Sequence, residues 1–92
     1  VVMVFDTDEE AIRIANDSDY GLSATVCSAD LGLAFEMARE LRTGGVMLNG
    51  GSGSMPSDAP FGGTKRSGFG RETGVEGLLE FTNSKTVLFK AG

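Results

Sequence analysis

A chain of 92 residues makes at most one small domain and buries only roughly 60–65% of the surface its unfolded form exposes, so its core is small. A net charge of -5 argues against nucleic acid or an anionic membrane surface as a partner, because both require a basic face, and no apolar run reaches the ~20 residues of a membrane span. One cysteine and no histidine exclude disulfide scaffolds, zinc fingers and histidine-based triads, which leaves general acid–base work to carboxylates, lysine or tyrosine.

Residues 1–5 (Val-Val-Met-Val-Phe) form a continuous apolar run that predicts a strand buried on both faces. The run itself does not read as a signal peptide, and a chain that starts inside a strand is expected to have its true N-terminus upstream. Thr7 and Glu10 stand at capping-box spacing and start a helix whose Ala11, Ile14 and Ala15 share a face, ending near Asn16 or Asp17. Residues 22–27 read as a second strand. Asp30 caps a second helix, with Leu31, Ala34, Phe35, Ala38 and Leu41 at helical spacing, Arg39 and Arg42 in its last turns, and Gly44-Gly45 as the stop. Residues 45–49 are a third strand. The order β-α-β-α-β with short joints predicts an α/β fold with parallel strands and right-handed crossovers.

Beyond Asn49 the periodicity lapses. Residues 50–71 are dense in glycine and serine and read as a long loop, a length that is usually functional or disordered. The small residues from Gly50 to Ser54 suggest few bulky walls, with Met55 able to fill space. A short helix over 74–81, with Val75, Leu78 and Leu79 apolar, and a final strand over 85–90 without a local partner complete the chain.

Each candidate for chemistry has a plain alternative. Cys27 is the one sulfur nucleophile, but it lies in an apolar strand with no base, so it reads as a small buried hydrophobe. The glycines at 68, 70 and 74 are spaced G-x-G-x-x-x-G with no strand before them, which is no dinucleotide fingerprint, and residues 63–68 miss the phosphate-loop pattern. They read instead as turn and close-packing positions. Lys65, Arg66 and Arg71 form a local basic cluster, taken as a solvated loop or as paired with Glu72 in preference to a site for an anionic partner or a subunit contact. Asp6, Asp8, Glu9 and Glu10 suit helix capping and lack the spacing of a calcium loop; no metal site is expected. Asp58 reads as a solvated loop residue. Phe61 and Phe69 need either a pocket or a ligand to face, and for Phe61 the two readings balance.

The residues also resemble a family. Ala15-Asn16 followed by Tyr20-Gly21-Leu22 and Ala24 is similar to the A-N-x-x-x-Y-G-L-x-A run of aldehyde dehydrogenases, and Gly44 to Asn49 resembles their G-x-V-x-x-N strand. Residues 60–72 match every fixed position of the P-F-G-G-x-K-x-S-G-x-G-R-E signature, and Leu79-Glu80-Phe81-Thr82 and Lys85-Thr86-Val87 match the family's ending. The resemblance covers nearly the whole chain. It implies an α/β fragment of the catalytic domain over residues 1–84, incomplete, and one oligomerisation-arm strand over 85–92, in a cytoplasmic homo-oligomer (dimer or tetramer) that oxidises an aldehyde with NAD or NADP. It implies that the loop from Gly50 to Phe61 borders the aldehyde tunnel, with Phe61 and Met55 as substrate contacts, and that the strand from Thr86 to Lys90 pairs with a neighbouring subunit, covering an otherwise exposed edge. The catalytic cysteine, the water-activating glutamate, the oxyanion asparagine and the cofactor domain are all expected upstream of Val1, so the segment itself is expected to carry no catalytic and no cofactor-binding residue and to be inactive alone. The resemblance also places Lys65 and Gly68 near a cation site that some relatives have between subunits, and no metal is expected here. The alternative function is a stand-alone non-catalytic assembly or binding module.

Overall fold

The computed structural model describes residues 1–50 and 55–92. Helix α1 (Asp8–Asn16) begins where its capping residues dictate: the Glu10 amide donates to Thr7 Oγ1 at 3.1 Å, and the Glu10 carboxylate reaches back to accept from the Asp6 amide at 2.9 Å. The three acidic residues of its first turn lie at the positive end of the helix dipole. A two-residue strand β1 (Tyr20–Gly21) follows, then strand β2 (Ser23–Val26).

Helix α2 (Leu31–Glu40) is capped by Asp30, whose carboxylate accepts from the Leu33 amide at 3.1 Å. It crosses over to strand β3 (Gly45–Leu48), which pairs with β2 in parallel, Ser23 opposite Gly45 and Val26 opposite Leu48. The expected parallel β-α-β unit is therefore present. Strand β4 (Thr64–Lys65) pairs antiparallel with β1, and helix α3 (Gly74–Leu79) ends the regular structure. The loop reading of residues 50–71 missed this second small sheet, because two residues are too few for any hydrophobic alternation to register.

Two expected strands are absent. Residues 1–5 and 85–90 pair with nothing among the described residues, and Val1, Val2, Val4, Val87, Leu88 and Phe89 are exposed. An apolar run becomes a strand only when a neighbour takes up its amides and carbonyls, and the β2–β3 sheet stops at two strands. The full β-α-β-α-β order is thus reduced to α-β-α-β plus the β1–β4 pair.

Uncovered surface is the dominant feature of the packing. Val26 and Ala34 are the buried hydrophobic residues among those described, while Leu31 and Phe35 of the α2 stripe stay exposed. The accessible surface is 7528 Å², against about 5,100 Å² for a compact chain of this mass. The radius of gyration is 18.1 Å, where about 12 Å is usual for this length.

At the end of β3, Asn49 takes a left-handed φ of 52° and extends the ladder with its side chain. Its Oδ1 accepts from the Ser28 amide at 2.9 Å and its Nδ2 donates to the Ser28 carbonyl at 3.1 Å, while its own amide donates to Val26 O at 2.8 Å. The carboxamide therefore acts as one further rung. Replacing Asn49 by alanine removes both side-chain bonds and is expected to cost about 1–2 kcal/mol, read as a lowered thermal midpoint of the full-length protein; an unchanged midpoint would show that water replaces the rung without loss.

Candidate functional site

Residues 59–72 are anchored to distant parts of the chain at several points. Gly62 lies against Gly44, just before β3, so closely that a Cβ on Gly44 would overlap the Gly62 carbonyl. The β1–β4 pairing is reinforced by side chains. The Gly21 amide donates to Ser67 Oγ at 3.0 Å, and the Thr64 hydroxyl lies 3.3 Å from Gly21 O and 3.1 Å from Arg42 O.

Lys65, at a left-handed φ of 53°, sends its ammonium group to the carbonyls of Asn16 at 3.0 Å and Ser18 at 2.8 Å. It thereby supplies positive charge and donors at the C-terminal end of α1. Asn16 itself ties the two helices together, donating to Glu40 O and accepting from the Arg42 amide, each at 2.8 Å.

Arg71 is committed to backbone: its NH1 donates to Gly63 O at 2.9 Å and Gly70 O at 2.7 Å. Arg66 forms an exposed 3.7 Å pair with Asp19, of small energetic weight. Lys65 and Arg71 are therefore tied to backbone, Arg66 stays solvated as expected, and none of the three pairs with Glu72 among the described residues. Lys65 and Arg71 part company because the folded loop brings different carbonyls to them, and sequence proximity carries no trace of that.

Phe61 exchanges backbone hydrogen bonds with Glu72, its amide to Glu72 O at 2.8 Å and the Glu72 amide to Phe61 O at 2.7 Å. Its ring is half-buried at an open cleft of about 320 Å³ shared with Leu22, Phe69, Arg71, Glu80 and Phe81. Phe69 and Phe81 are almost fully exposed at the rim. Met55 is exposed and does not border this cleft. Asp58 is exposed in the turn before Phe61. The expected small-walled stretch 51–54 lies outside the described residues.

Cys27 is exposed, which corrects the buried reading. It lies just past β2, beside an uncovered groove between α1 and α2, so the apolar neighbours expected around it do not close over it. Among the described residues no cluster of acidic or sulfur ligands could hold a metal ion, and no helix is long and apolar enough to cross a membrane.

NAD or NADP does not fit the residues present. Gly68 and Gly70 lead into the Phe61–Glu72 bridge, Gly74 is held against Ser57 O, Arg71 is spent on two carbonyls, and α3 has six residues with no strand feeding it among the described residues.

The model of the aldehyde dehydrogenase family matches residues 1–87. An aldehyde dehydrogenase of Paenarthrobacter nicotinovorans is 51% identical over 79 residues, which make up 86% of this chain and 17% of that protein. The succinate-semialdehyde dehydrogenase (NADP(+)) of Deinococcus radiodurans is 51% identical over 80 residues, 87% of this chain and 17% of that protein. Among solved structures, the Mycobacterium tuberculosis aldehyde dehydrogenase complexed with NAD+ superposes with a TM-score of 0.87 at 43% identity, covering 96% of this chain and 18% of that one. The chain thus spans about a sixth of the length of the curated relatives it matches.

Proposed function

The chain belongs to the aldehyde dehydrogenase family, and from that premise we propose that it is the C-terminal segment of an enzyme that oxidises an aldehyde to a carboxylic acid, with NAD or NADP as hydride acceptor. The observation that carries the reading is the signature over 60–72, which is complete in sequence and folded as one anchored loop with Phe61 at an open cleft.

In this reading residues 1–84 belong to the catalytic domain and 85–92 to the oligomerisation arm. Phe61 and Met55 line the aldehyde tunnel. An aromatic wall suits this role because it offers a large apolar area at little cost in conformational freedom. The exposed run Val87-Leu88-Phe89 pairs as a strand with a neighbouring subunit of a dimer or tetramer, which would satisfy its free amides and carbonyls. The nucleophile, the water-activating carboxylate and the nucleotide site come from parts of the enzyme outside this segment. A stand-alone non-catalytic module is the weaker reading: a core of Val26 and Ala34 leaves most of the apolar surface without a cover of the chain's own.

The test is a direct assay with a panel of aldehydes and NAD or NADP, followed through the nicotinamide absorbance. The full-length protein is expected to turn over and the purified 92-residue chain to reduce no cofactor. Turnover by the 92-residue chain would refute its assignment as catalytically empty, and a full-length protein inert with every aldehyde would refute the activity.

A further inference from the structure

Thr73 has φ 57° and ψ 166°, a backbone region open to glycine and entered by a β-branched residue only under outside constraint. The constraint lies across the loop. Glu72 exchanges both backbone bonds with Phe61, the Thr73 hydroxyl donates to the Ala59 carbonyl, and the Gly74 amide donates to Ser57 O at 3.2 Å. Three consecutive residues thus hold the alternate residues 61, 59 and 57 of the segment that leads into Phe61. The middle rung is made by a side chain. On the other side of the residue, the Thr73 carbonyl accepts from the Gly77 amide at 3.0 Å, which ties the same backbone into α3. Gly74 completes the seam, with room for no side chain: a Cβ there would lie 2.9 Å from Asp58 O.

We infer that Thr73 is a positioning residue for aldehyde selectivity: its hydroxyl fixes the path of residues 57–61 and so the setting of the Phe61 ring. The inference rests on Phe61 being a wall of the aldehyde tunnel. A threonine side chain has two relevant properties here, the donor and the β-branch, and the position needs only the donor. Glycine adopts the backbone conformation unaided and removes the hydroxyl, whereas serine keeps it.

The experiment compares the full-length enzyme with its Thr73→Gly, Thr73→Ser and Phe61→Ala variants on small aliphatic and bulky aromatic aldehydes at saturating nucleotide. Thr73→Gly is expected to raise KM for the aldehyde best accommodated by the wild type about tenfold, with kcat and the nucleotide KM near wild type, and Thr73→Ser to restore the wild-type KM. Should Thr73→Gly fail to yield folded enzyme, Thr73→Val removes the same donor on the native shape and the same KM comparison decides. A wild-type KM without the hydroxyl, alongside a raised KM in Phe61→Ala, overturns the role of Thr73 alone. A Phe61→Ala enzyme with unchanged aldehyde KM values overturns the tunnel-wall reading, and the inference with it. Equal KM changes in the serine and glycine variants would mark a merely structural position and also overturn it.

Discussion

Substituting Gly44 by alanine is expected to destabilise the full-length protein by about 3 kcal/mol or more, seen as loss of soluble yield or a large drop in thermal midpoint, together with loss of activity. The added Cβ would overlap the Gly62 carbonyl oxygen, lie 2.6 Å from its carbon and 3.2 Å from Gly63 Cα. All three obstacles are backbone, so no rotamer change relieves them. The loop must lift away from the start of β3, and with it go the Ser67 and Thr64 contacts to Gly21. The adjacent Gly45 is the internal control. A Cβ there meets nothing within 4 Å, and its φ lies outside the left-handed region, so Gly45→Ala is expected to stay within about 0.5 kcal/mol of wild type. Equal behaviour of the two alanine variants would show that close approach at Gly44 is not what demands glycine.

Replacing Arg71 by methionine is expected to cost about 2–3 kcal/mol and to raise the aldehyde KM of the full-length enzyme. The guanidinium joins Gly63 O and Gly70 O, acceptors seven residues apart in one loop, so methionine keeps the stem and removes the donor from both. Both bonds leave one nitrogen, NH1; lysine retains the charge but its shorter stem sets the ammonium nearer the backbone, so Arg71→Lys is expected to recover only part of the loss. Thermal denaturation of the three proteins checks the order: wild type above lysine, lysine above methionine. Because the loop also carries the Phe61–Glu72 bridge, the KM should follow the same order. Lysine as stable as arginine would mean that charge alone, without geometry, holds the loop.

The local elements were legible because their causes are local. Thr7 and Asp30 start helices by accepting from amides three residues on, and short spacing alone reveals them. The parallel pairing of β2 and β3 follows from two apolar runs joined by an amphipathic helix. The signature over 60–72 and the A-N-x-x-x-Y-G-L run pointed to the family without any coordinates.

The remaining features depend on distant residues. Whether residues 1–5 form a strand depends on a neighbour to pair with, and none lies among the described residues; the same holds for 85–90. Cys27 reads as buried from its apolar neighbours in sequence, but burial requires something on the other face of the sheet. Lys65 and Arg71 look like a charge cluster in sequence, and only the folded loop assigns them to Asn16, Ser18, Gly63 and Gly70 carbonyls. Thr73 carries no sequence signal at all, since its meaning is a backbone angle.

The sequence by itself determined the helix starts, the parallel β-α-β unit and the family, because capping, periodicity and motif spacing are written in residues a few positions apart. Tertiary structure alone decided which glycines are obligatory, where the basic side chains go and how residues 57–61 are held against residues 72–74, because those depend on carbonyls that the fold brings together from distant parts of the chain.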